Sequence, residues 1–161
     1  MAVKAIPEGY HSVSPYLVCK SAAKAIDYYT KVFGAQETVR MPGPNGSVMH
    51  AEIKIGDSIV MLSDENKERG NLSPESIGGT AVSVMLYIDD VDGVYSRAVA
   101  AGGKGEMPPA DMFWGDRMGN IVDPFGHKWA IATHKEDVSP EELASRMKEW
   151  SKAQQSQADV T

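Results

Sequence analysis

The chain has 161 residues, of which 42% are hydrophobic and 24% charged, and its formal net charge is −6 at pH 7. This length supports one domain or two small modules that share a core. An acidic chain with no basic stripe does not neutralise phosphates, and no apolar run reaches the length of a membrane span. We therefore predict a partner that is neither nucleic acid nor membrane, while the charge says little about small ligands.

The single cysteine, Cys19, excludes an internal disulfide. Its apolar neighbours, Leu17 and Val18, are typical of a buried strand, so we expect a buried thiol rather than a nucleophile. The N-terminal stretch also lacks the apolar core of a secretory signal. These features predict a cytoplasmic protein in a reducing compartment.

Residues 12–63 are predicted to form a first βαβββ module. A short apolar strand, "SPYLVCK", precedes the helix "SAAKAIDYYTKVFGA", whose apolar residues recur at helical spacing between the caps Ser21 and Gly34. The strands "QETVRM", "SVMHAEIKI" and "SIVMLS" follow. Alternation in the second of these places His50 and Glu52 on its polar face.

Residues 64–80 are polar and rich in Gly, Ser and Pro, which is typical of a linker. Residues 81–134 then repeat the order: "AVSVMLYID", the helix "DVDGVYSRAVAAGG", the broken strand "KGEMPPA", and a hairpin around the turn "DPFG". We predict an internal duplication of class α+β, in which two βαβββ modules form curved mixed sheets around a cleft. Residues 139–155 are predicted as a C-terminal helix, opened by Ser-Pro-Glu-Glu.

The duplicated βαβββ order, with "AIDYYTKVFGA" in the first helix and "DPFGH" before the last strand, resembles the vicinal-oxygen-chelate superfamily. That superfamily includes glyoxalase I, extradiol dioxygenases, and bleomycin- and fosfomycin-resistance proteins. The stretches "HAEIKIGDSIVMLSDE" and "WGDRMGNIVDPFGHKWAIATH" resemble its PhnB-like branch. The resemblance covers about residues 12–134 and implies a homodimer with sites at the subunit interface. Because one fold hosts many chemistries, it does not select an activity.

Metalloenzymes of this superfamily bind a divalent ion through side chains, commonly His and Glu, on the first and last strand of each half. By the resemblance, these positions fall here on Ser14, Val60, Ser83 and Ala130. None is a usual ligand, and the residues on either side of them supply no imidazole or carboxylate. The resemblance therefore implies that the usual metal site is absent, and we predict no metal and no cofactor.

Strand alternation places three polar residues, His50, Glu52 and His134, on the cavity side of the two sheets. A hydrogen-bonded His–Glu pair in the cavity wall is one interpretation. The alternatives are a non-standard divalent-metal site formed by all three residues, or catalysis with His50 as general base and Glu52 orienting it.

The predicted ligand-binding residues are Tyr16, Val60, Met85, Tyr87, Trp114, Arg117 and His134. The first four predict an apolar pocket with aromatic edges. The indole of Trp114 can stack on a planar ligand, and Arg117 can bind a carboxylate or phosphonate, although a strand-edge ion pair beside a core tryptophan explains both residues as well.

Three functions follow from these patterns. The first is a metal-free small-molecule-binding protein that holds its ligand in the cleft between the modules. The alternative is a glyoxalase-like lyase or isomerase, or a dioxygenase, that uses His50 and Glu52. A structural or regulatory protein, the third, would have a cleft filled by side chains.

Overall fold

The computed structural model describes residues 3–158, which fold into two βαβββ modules and a C-terminal helix. The predicted α+β class is confirmed. The first module consists of β1 (Tyr16–Cys19), α1 (Ala22–Phe33), β2 (Gln36–Pro42), β3 (Val48–Ile55) and β4 (Ser58–Asp64).

The second module begins after a connection that contains a short helix, α2 (Pro74–Ile77). It consists of β5 (Ser83–Tyr87), α3 (Val91–Ala100), β6 (Lys104–Asp111), β7 (Asp116–Val122) and β8 (Lys128–His134). Helix α4 (Pro140–Ala158) follows it. Among the described residues, no helix is both long enough and apolar enough to cross a bilayer.

Each module forms its own four-stranded mixed sheet, with the strand orders β1-β4-β3-β2 and β5-β8-β7-β6. In both sheets the first and last strands are parallel, and the other neighbours are antiparallel. One edge of β1 and one edge of β5 therefore have no strand partner within the described chain.

The two ends of helix α1 are stabilised in different ways. Gly34 ends it in the left-handed conformation (φ 68°), as predicted. Ser21 stands at the N-cap position, but its side chain makes no capping bond. Instead the carboxylate of Asp64 accepts from the backbone N–H of Ala22 at 2.5 Å and from that of Val48 at 2.7 Å. The end of β4 thus fixes the starts of α1 and β3 together.

The two modules are joined by a buried carboxylate at the turn before β8. Asp123 accepts the backbone N–H groups of Phe125 and His127, each at 2.9 Å. It also accepts the indole N–H of Trp129 at 2.9 Å and the hydroxyl of Tyr29, from the other module, at 2.6 Å. This one carboxylate therefore closes its own turn and also makes the hydrogen bond between the modules.

A second contact joins the two modules. His127 Nε2 lies 3.0 Å from the carbonyl oxygen of Val18 and 3.7 Å from Cys19 Sγ. Cys19 is fully buried, as predicted, and its burial raises the pKa of the thiol above its usual range. The thiol is therefore protonated and inert at neutral pH.

We expect Tyr29→Phe to lower the free energy of unfolding by about 2 kcal/mol, because it removes a buried hydrogen bond to a charged group. Tyr28→Phe is the matched control, since the Tyr28 hydroxyl donates to a neutral acceptor, the carbonyl oxygen of Ala98, at 3.2 Å. Its loss should cost about 1 kcal/mol. Urea denaturation measures both values, and equal losses would contradict a special role for Asp123.

Candidate functional site

The first sheet carries a polar network on the face turned away from α1. His50 Nδ1 lies 3.0 Å from the Tyr16 hydroxyl, and His50 Nε2 lies 3.3 Å from Glu52 Oε1. The hydroxyl of Tyr10, in the arm before β1, donates to the other oxygen of Glu52. His50 and Glu52 therefore lie on the face away from α1, as strand alternation predicted. That face does not border the cavity between the modules, and neither side chain lines that cavity, so their predicted place on its wall is not found. Tyr10 was missed because the arm has no periodic pattern.

Both ring nitrogens of His50 have hydrogen-bonding partners in this network. A general base needs a nitrogen within reach of the substrate proton. The geometry is that of a hydrogen-bonded His–Glu pair, in which the side chain of His50 is 21% exposed and that of Glu52 is 11% exposed.

Val60 lies on the opposite face of the first sheet from His50 and Glu52. It pairs with Ile53 and is buried on the α1 side of the sheet, while Met61 occupies the other face. The reason is the two-residue turn between β3 and β4, which sets Ile55 opposite Ser58 and so fixes which residues share a face. Met61 is a thioether, which is not a usual ligand for a hard divalent cation.

The second sheet has a separate network around Asp116, whose exposed fraction is only 5%. Asp116 Oδ2 accepts from the Tyr87 hydroxyl at 3.0 Å and from the Trp114 indole N–H at 3.1 Å. Asp116 Oδ1 lies 2.8 Å from His134 Nδ1, and the other ring nitrogen of His134 lies 3.0 Å from Asp137. Three of the predicted ligand residues are thus brought together by one carboxylate.

The network shifts the ionisation of both members of its ion pair. Burial alone would raise the pKa of Asp116, but the hydrogen bonds from His134, Tyr87 and Trp114 bring it below its usual range. Hydrogen bonds to Asp116 and then to Asp137 raise the pKa of His134. His134 therefore keeps its proton, and its ion pair with Asp116, to a higher pH than an unpaired histidine would.

Arg117 does not join the predicted ligand residues. It pairs with Thr133, so its side chain lies on the helix side of the second sheet. There it forms two bonds of 2.7 Å to Asp92 of α3 and one of 3.1 Å to Asp111. Of the two interpretations of Arg117, the geometry shows the ion pair.

The three residues of the non-standard metal site are not brought together in the chain. His134 is bonded to Asp116 and Asp137 in the second module, whereas His50 and Glu52 are bonded to each other in the first. Within the part of the chain that the structure describes, no group of three or more His, Cys, Asp or Glu residues is placed to hold a metal ion. The alternative of a His50–Glu52–His134 site therefore has no geometric support in a single chain.

A cavity of about 510 Å³ lies between the modules. Three predicted ligand residues, Val60, Met85 and Tyr87, are among those that line it. Other walls are supplied by Phe33, from the end of α1, and Trp129, from β8. The cleft is therefore open rather than filled by side chains.

Tyr16 lies beside this cavity. It lines a depression of about 260 Å³ that shares Pro15 and Val84 with the larger cavity. Trp114 and His134 lie further along the second sheet, and reach the cavity only through Tyr87 and Asp116.

Residues 10–131 match the family model of the Glyoxalase/Bleomycin resistance protein/Dioxygenase superfamily. An uncharacterized protein of Mycobacterium tuberculosis is 40% identical over 139 residues, 84% of this chain and 82% of that protein. TioX from Micromonospora sp. ML1 superposes with a TM-score of 0.60 at 26% identity, over 80% of this chain and 100% of that one. A PhnB protein from Bacillus cereus shares the fold, with a TM-score of 0.60 at 18% identity over 76% and 99% of the two chains.

We expect His134→Gln to destabilise the protein most at about pH 5–6, and progressively less as the pH rises. The raised pKa of His134 means that its stabilisation is complete below the unfolded-state pKa, near 6.5, and is lost as the pH rises through the folded-state value. Thermal unfolding of both proteins across this range measures the difference. His11→Gln, which removes an imidazole from the exposed N-terminal arm, is the control. A difference that grows above pH 7 would contradict the ion pair.

Proposed function

The chain belongs to the Glyoxalase/Bleomycin resistance protein/Dioxygenase superfamily, and we propose that it binds a small molecule in the cavity between its two modules without a bound metal. The observation that carries this proposal is the open cavity of about 510 Å³, which lies within the size range of small-molecule sites.

The lining supports a ligand that is planar and largely apolar. Phe33 and Trp129 form apolar walls from the core, where they are 6% and 1% exposed. Tyr87 and Met85, which are 59% and 43% exposed, supply the accessible aromatic ring and a flexible thioether that adapts to irregular shapes. Of the described residues that line the cavity, Asp57 alone carries a charge, and it lies at the exposed turn between β3 and β4. A hydrogen-bond donor at one end of the ligand fits that rim.

We also propose that the chain forms a homodimer. The free edges of β1 and β5 carry exposed apolar side chains, with exposed fractions of 49% for Tyr16 and 59% for Tyr87, and Val82, just before β5, is 67% exposed. Unpaired strand edges with apolar residues favour pairing with another chain. A two-fold dimer would set β1 of one copy against β5 of the other, because each copy offers both edges.

We expect the neutral apolar fluorophore N-phenyl-1-naphthylamine to bind saturably, and Met85→Glu to weaken this binding about tenfold by placing a charge in the apolar wall. Fluorescence titration measures the dissociation constants. Met49→Glu is the matched control, because Met49 is exposed on β3 and does not line the cavity. Dialysis against a chelator should leave binding unchanged. Binding that is lost on chelation and restored by a divalent metal would overturn the proposal.

We expect light scattering to give twice the mass of the chain for the wild type, and Val82→Glu to shift the protein toward the monomer. A charge at this position would have to be buried between two strand edges. Met49→Glu should stay dimeric. A monomeric wild type would rule out the dimer.

A further inference from the structure

The segment just before the C-terminal helix α4 is hydrogen-bonded to the loop between β6 and β7, and α4 is in turn hydrogen-bonded to that segment. Arg146 forms two bonds of 2.8 Å with Glu136, just before the helix, and one of 2.8 Å with Glu142 in its first turn. The backbone N–H groups of Lys135 and Glu136 donate to the carbonyl oxygen of Gly115 at 2.9 and 3.1 Å. The start of α4 and this loop are therefore held as one unit.

Gly115 is needed for this attachment. Its φ of +100° is a conformation that L side chains rarely adopt, and an added Cβ would overlap the carbonyl oxygen of Glu136. The close approach of the two backbones thus depends on glycine at this position.

Three aromatic rings continue the connection from α4 into the loop. The ring centroid of Phe113 lies 5.6 Å from that of Trp150 in α4, and 5.0 Å from that of Trp114 in an edge-on arrangement. These separations are those of attractive aromatic pairs. Phe113 is therefore packed between the helix and the indole of Trp114.

The last contact between α4 and the cavity runs through one oxygen atom of a buried carboxylate. Asp116 Oδ2 accepts both the indole N–H of Trp114 and the hydroxyl of Tyr87. Two donors that share one acceptor are fixed relative to each other, and Asp116 is itself buried. The ring of Tyr87 lines the cavity between the modules, and its other end is therefore held by this carboxylate.

We propose that α4 sets the orientation of Tyr87 at the ligand cavity, acting through Trp150, Phe113, Trp114 and Asp116 as positioning residues. This inference rests on the proposed ligand cavity. Helix α4 begins at Pro140, beyond residues 10–131 that match the family model. Without α4, Phe113 loses its contact with Trp150, and the Trp114 indole that shares the Asp116 oxygen with Tyr87 is held less firmly.

The experiment compares Trp150→Ala with Met147→Ala in the whole 161-residue chain. Met147 lies on the same helix with a similar exposed fraction, 55% against 51%, and outside the three-ring contact. Two readouts are taken: the dissociation constant of N-phenyl-1-naphthylamine, and the NMR signal of Tyr87 in protein with ring-labelled tyrosine, assigned with Tyr87→Phe.

We expect Trp150→Ala to weaken probe binding about threefold to tenfold and to shift the Tyr87 signal in the same direction as Asp116→Asn does. Met147→Ala should do neither. An unmoved Tyr87 signal in Trp150→Ala would overturn the inference, whatever the probe does. Phe113→Leu, which keeps apolar volume in the loop, provides the second variant if Trp150→Ala does not fold, and its Tyr87 signal should also shift.

The two proposals fail in different ways. If the wild type does not bind the probe, the ligand cavity is refuted, while the Tyr87 signal still decides whether α4 controls this residue. If the probe binds and neither Trp150→Ala nor Phe113→Leu moves the signal, the cavity proposal stands and α4 has no part in it.

Discussion

The packing of the two modules depends on the buried carboxylate of Asp123. A buried charge is costly unless hydrogen bonds replace its hydration, and Asp123 has four donors. Two of them close its own turn, one fixes the indole of Trp129, and one, from Tyr29, crosses to the other module. Burial, together with this carboxylate, raises the pKa of Tyr29, so its hydroxyl keeps its proton. Since Trp129 lines the cavity, the same carboxylate that joins the modules also orients one wall of the proposed site.

The two modules share a backbone arrangement but carry different polar side chains. Both sheets have the same strand order, and the first strand of each offers a free edge. The polar networks, however, are built differently: a histidine and a glutamate two residues apart on β3 in the first module, and a carboxylate shared by three donors from separate elements in the second. A fold repeated in this way supplies two similar frames, and the side chains within them decide what each can bind.

Much of the fold was accessible from the sequence, because periodicity, glycine turns and the repeated order of elements are local signals. The faces of His50, Glu52 and Tyr16 followed from alternation alone. For Arg117 the sequence left two interpretations open, although its alternation in phase with the buried Ile121 favours the ion pair on the helix side. The two-residue turn after Ile55 likewise fixes which residues of β4 share the face of Val60. The Tyr29–Asp123 and Tyr10–Glu52 bonds join residues far apart in the chain. They depend on how helices and arms dock, which no local pattern encodes.

The buried thiol of Cys19 can report on separation of the modules and on unfolding. This sole thiol is inaccessible, and its neighbour across the module boundary is His127. A thiol reagent can reach the sulfur only when the halves separate or the chain unfolds, so the rate of labelling counts those openings in unmodified protein. A bound molecule that contacts both halves would lower this labelling rate.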